Sequence, residues 1–189
     1  MTAPAPSADR PDTARLAIIG LIGLVVTGAL YLAGRLLTPN YLFTIFGQSG
    51  LGAYKLKSAL TSVALGLAAL QVVLALWIYG KLPLVGRPTR SVRFTHRGVG
   101  LVLLAVTAPV AVHCLIAYGV QLTSLRVAVH SLAGCFFYGV FAAKVLVVQS
   151  KRMPGWVFPL LGGLLAVLIA VLWYTSALWY YNGFQLPSL

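Results

Sequence analysis

Five long apolar runs dominate this sequence, at about residues 16–37, 58–80, 98–119, 125–148 and 156–179. They leave the chain few ways to fold. Each covers roughly 20–25 residues, which as a helix rising 1.5 Å per residue crosses a hydrocarbon core of about 30 Å. Such a core holds no water to satisfy an open N–H or carbonyl, so each run must close its own hydrogen bonds as a helix. The first run is too long for a signal-peptide core and has no small-x-small cleavage pattern, so it counts as a helix. Composition agrees: 60% of residues are hydrophobic and 8% charged, where a soluble domain carries roughly a quarter. The expected fold is an all-α membrane protein, a bundle of five transmembrane helices. Residues 1–14, rich in Ala, Pro, Ser and Asp, read as a disordered tail. Residues 15–182 form one transmembrane domain, and 183–189 a short external tail.

Charge placement narrows the chemistry. The chain has no Glu, and its acidic residues, Asp9 and Asp12, both lie in the tail. Paired-carboxylate catalysis, carboxylate-bound metals and carboxylate proton relays are therefore excluded from the helices. The net charge of +12 falls between apolar runs rather than on one soluble face, so it points to anionic lipid and not to nucleic acid. Arg10, Arg15, Lys81, Arg87, Arg90, Arg93, Arg97, Lys151 and Arg152 lie on the N-terminal side of the spans. Arg35, Lys55, Lys57 and Arg126 lie on the other. The larger basic set belongs in the cytoplasm, which places the N-terminus inside and the C-terminus outside a plasma membrane. Residues 38–57 read as the longest external loop, with aromatic residues suited to the interface, and 81–97 as a Pro-broken cytoplasmic loop. The third and fourth runs are joined by only a few residues, so they are expected to be antiparallel neighbours.

Ionisable side chains inside apolar runs are costly and need a reason. His113 lies shortly before the end of the third run and His130 shortly after the start of the fourth. On neighbouring antiparallel helices they share one depth, roughly 9 Å below the outer surface. Two neutral imidazoles facing each other there suit axial ligation of one b-type haem. Gly134, one turn beyond His130, offers room for a flat macrocycle. Pro109 deletes a backbone bond one turn before His113 and opens space by kinking the helix. Arg126, with Lys55 and Lys57, is the candidate partner of haem propionates. The competing account makes both histidines structural hydrogen-bonders across a helix pair.

His96 lies about 25 Å of helix from His113 and cannot share its metal. It reads as an interfacial donor, and Lys144 as a side chain that snorkels to the nearer surface. Functionally, the two form a candidate secondary site for an anionic or quinone ligand. Cys114 and Cys135 read as small packing residues.

The segments THRGVG (95–100), HC (113–114) and HSLAGCFFYGVFAAK (130–144) resemble a family of uncharacterised bacterial five-helix membrane proteins, over residues of about 50–182. That resemblance implies a fold and no activity. More distantly, the histidine pair is similar to transmembrane b-type cytochromes and ferric-reductase-like proteins. Those families usually carry two histidines on each of two helices. Here the fourth run has one histidine, and His96 and His113 are 17 residues apart. The expected function is a membrane electron-transfer protein or redox-complex anchor, exchanging electrons with a quinone or an external redox protein. The alternative is a non-redox scaffold or assembly subunit, or a small transporter. Transport is weakened by the missing carboxylates, and copper binding by the scarcity of Met.

Overall fold

The computed structural model describes residues 13–83, 86–151 and 153–186. Within them the chain forms α1 (Thr13–Leu36), α2 (Gly50–Ile78), α3 (Arg90–Ala117), α4 (Leu125–Gln149) and α5 (Val157–Trp173). A π-helical turn, Tyr174–Leu178, carries α5 on into the short α6 (Trp179–Tyr181). Five helices, the last taken through to Tyr181, are long and apolar enough to cross a membrane. The chain is a multi-pass integral membrane protein with lipid-facing helices. The expected N-terminal tail lies, up to Asp12, outside the described residues, as do Arg152 and the last three positions of the external tail.

Two helices begin earlier than their apolar runs. α2 starts at Gly50 rather than near 58, so Tyr54, Lys55 and Lys57 are helical and not part of a loop. α3 starts at Arg90 rather than 98, with Thr89 as N-cap accepting from Val92 N–H at 3.4 Å. The reason is the same in both cases. Backbone bonding and local burial, at Ala53 and Val92, carry a helix through the interfacial layer, whereas hydropathy marks only the hydrocarbon. Ser124 caps α4 in the same way, accepting from Val127 N–H at 3.4 Å.

The order of packing around the bundle is α1, α4, α5, α2, α3, with α3 returning to α1. The expected pairing of α3 with α4 is therefore corrected: they are not packed along their lengths. The segment 118–124 crosses the end of α1 instead. Val120 N–H donates to the Gly34 carbonyl at 2.8 Å, and Arg35 Nη1 reaches the Val120 carbonyl at 3.4 Å. Gly119, at φ 65°, passes where a Cβ would collide with the Gly34 carbonyl. A short connection limits distance, about 3.3–3.6 Å per residue, and does not dictate contact.

α4 is the hub. On one side Gly23 and Gly139 bring α1 and α4 into backbone contact, a side chain at Gly139 being blocked by Thr27. Such small-residue faces drive helix association where lipid is as apolar as any core. On the other side Phe137, 1% exposed, packs among Ala64, Ala68, Leu103, Leu168 and Ile169. Its ring fills the space between α2, α3 and α5.

Helices alternate in direction, giving the bundle two distinct ends. The basic end carries Arg15, Lys81, Arg87, Arg90, Arg93, Arg97 and Lys151. The aromatic end carries the close of α5. There the loop after α1 is held down on α3, Asn40 N–H donating to the Ile116 carbonyl at 3.0 Å. Within that loop Ile45 and Gln48 bond to each other in both directions across Phe46 and Gly47, both at positive φ.

Candidate functional site

The aromatic end gathers Lys57 from α2, His113 from α3, His130 and Arg126 from α4, and Thr175 from the π-helical turn. His113 is 2% exposed. Its Nε2 lies 3.0 Å from the Phe43 carbonyl, an atom that only accepts, so Nε2 carries the proton and donates it. The rings of Phe43 and Tyr118 flank it at 5.9 and 5.7 Å. Its other nitrogen, Nδ1, is buried without a partner among the described residues.

His130 has a different anchor and the same outcome. Its Nδ1 lies 2.9 Å from Thr175 Oγ1. That hydroxyl spends its own proton on the Val171 carbonyl at 2.7 Å. It therefore accepts from Nδ1–H, and Nε2 keeps the lone pair. Each imidazole thus holds its proton towards the protein frame and retains one bare nitrogen. Histidines that ligate metals are usually oriented in this way, by a carbonyl or hydroxyl on the second nitrogen.

Positive charge surrounds them. Lys57 is 8% exposed, with Nζ at 4.9 Å from the Tyr54 ring and 4.4 Å from the Tyr118 ring. It lies within electrostatic reach of both imidazoles and of the Cys114 thiol. Burial first, and then Tyr54, hold the Tyr118 phenol well above the ordinary tyrosine range, so it supplies no phenolate counter-charge. No acidic residue follows Asp12 in the chain. Cation–π contact returns only part of what an ammonium loses on leaving water, up to about 2 kcal/mol. Arg126 donates from Nη1 to the Thr175 carbonyl at 2.9 Å, and its Cζ stands 3.8 Å above the Trp179 ring. That carbonyl lies in the π-helical turn, and such turns recur at functional sites.

The remaining expected residues lie elsewhere. Gly134 faces α5, where a side chain would meet Leu172 at ordinary contact distance; it is a packing position rather than an open slot. α3 runs through Pro109 without a break. Lys55 is exposed on α2. His96 and Lys144 sit near the basic end, within electrostatic reach of each other. Lys144 is half-buried, with Nζ 3.3 Å from where Gly162 of α5 would carry a Cβ.

Sequence reasoning missed Lys57 as a buried group, along with Thr175, Tyr118 and Gln71. Gln71 was detectable, as a lone amide in an apolar run. Thr175 had no signal, since its role depends on the turn that presents it.

A family model described as a family of unknown function, DUF6529, matches residues 16–188. The chain belongs to the DUF6529 family. The DUF6529 match begins in α1 and runs past α6, so His113, His130 and the residues around them fall inside it. No curated protein and no solved structure matches the chain.

Proposed function

We propose that the chain is a membrane redox subunit that holds one b-type haem at its aromatic end, with His130 and His113 as axial ligands. The observation that carries this is the pair of bare nitrogens, His130 Nε2 and His113 Nδ1, each fixed by a hydrogen bond on the far side of its ring. His130 presents the nitrogen most often used by haem-ligating histidines, and His113 the less usual one. Lys57, buried without a carboxylate, suits a propionate, and Arg126 retains donors beyond the one given to Thr175. Haem supplies one-electron chemistry; the chain supplies neutral ligands, compensating charge and an aromatic wall that excludes water. His113 and His130 would hold the group from different helices, α3 and α4. The partner is a quinone or an external redox protein. The basic end faces the cytoplasm of a plasma membrane.

The test is a reduced-minus-oxidised spectrum of protein purified from haem-replete cells. A low-spin haem with a sharp α band is expected. His113→Ala and His130→Ala should each abolish or convert it, and His96→Ala should leave it intact. A folded, colourless protein with no pyridine-extractable haem would overturn the proposal.

One observation favours a second reading. Both imidazoles already cross-link elements, His113 to the loop at Phe43 and His130 to the end of α5. In a scaffold or assembly subunit, or a small transporter, those bonds suffice. Either substitution would then cost about 1–3 kcal/mol of stability and change no spectrum.

A further inference from the structure

We infer that the basic end of the bundle holds a second ligand site, for a quinol headgroup, formed by Gln71, His96 and Lys144. It deepens the redox reading above and rests on it for its purpose, while its occupancy rests on the local geometry.

Gln71 of α2 donates from Nε2 to the His96 carbonyl at 2.7 Å. That bond fixes the amide, leaving Oε1 as a buried acceptor without a partner among the described residues. His96 Nδ1, one residue type and one helix away, is likewise buried without a partner. Lys144 brings an ammonium from α4 within electrostatic reach of His96. Two glycines admit these side chains. A Cβ at Gly100 would stand 2.9 Å from Gln71 Nε2, and one at Gly162 would stand 3.3 Å from Lys144 Nζ. Four helices therefore contribute, and polar groups are turned into the bundle where any of them could have been replaced by an apolar residue.

Such groups are costly when left unpaired. The set offers an amide oxygen, an imidazole nitrogen and a cation. A lipid phosphate diester pairs with the cation but leaves Gln71 Oε1 unsatisfied, because it has no proton to give it. A quinol has two hydroxyl donors on opposite edges of a flat ring, and an oxygen on which an ammonium stabilises negative charge. It is also a ligand that reaches the site through the bilayer. One hydroxyl can donate to Gln71 Oε1, the other oxygen can pair with the Lys144 ammonium, and a hydroxyl, which both donates and accepts, suits His96 Nδ1 in either tautomer.

The experiment is anaerobic isothermal titration of the full chain in nanodiscs with menadiol, and with decylubiquinol as a second headgroup. Saturable binding is expected for at least one. Gln71→Leu and Lys144→Met should each weaken it tenfold or more. Gly162→Ala, which displaces only a flexible ammonium tip and so leaves the fold intact, should weaken it at least threefold. His113→Ala and His130→Ala, which remove the haem ligands, should leave it within twofold, so that failure at one end is separable from failure at the other. No saturable heat with either quinol, affinity within twofold in all three basic-end variants, or displacement by a short-chain dialkyl phosphate would overturn the inference.

Discussion

Replacing Thr175 by Val keeps the shape of the side chain and removes the hydroxyl that takes the His130 Nδ1 proton. The expected cost is about 1–3 kcal/mol, because a buried N–H loses its acceptor. Thermal unfolding in detergent measures it, and an unchanged midpoint would mean that the hydroxyl does not hold the ring. Lys57 should behave in the opposite sense. Lys57→Met removes an ammonium that has two rings and no carboxylate beside it. The ligand-free protein should gain on the order of 1 kcal/mol, since an uncompensated buried charge opposes folding, while retention of a propionate-bearing ligand falls. A destabilised Lys57→Met protein would show that the cation–π contacts outweigh desolvation. The histidines were legible in the sequence because a lone ionisable group in an apolar run stands out. Lys57 was not, because a charge near the edge of a run was taken as the edge itself.

Helices with apolar residues on all sides carry no stripe that names their neighbours. That is why five spans were readable, and their lengths nearly so, whereas the order around the bundle was not. The short 118–124 connection suggested α3 against α4, and only the Gly34 contact reveals what lies between. Glycine contacts now separate buried from lipid-facing helix surfaces. Gly139→Val should drive α1 from α4 and cost about 1–3 kcal/mol or more, as overpacking does. Gly20→Val, on the same α1 surface region in sequence but with nothing within 4 Å of its Cβ position, should be nearly neutral. Equal losses in both would mean that the α1–α4 interface is not the one described.

For the whole molecule, five membrane-compatible helices among the described residues separate the two ends, and the distribution of basic residues predicts which end faces the cytoplasm. In a chain with Cys114 and Cys135 replaced by Ala, single cysteines at Ser91 and Gln185 report it. Both positions are exposed. A membrane-impermeant reagent on intact cells should label Gln185→Cys and spare Ser91→Cys. Labelling of both, or of Ser91→Cys alone, would reject the orientation. The π-helical turn at 174–178 ties this large-scale frame to a single proton. An α-helix turns about 100° per residue. If the turn reverted to regular winding, everything beyond it would swing by about that angle. Arg126 would lose the carbonyl it grips and the Trp179 face beneath it. Thr175 would no longer be anchored on that side, and the His130 proton would be free to change nitrogens. Regular winding of that turn would therefore be felt at the hydrogen bond that orients His130.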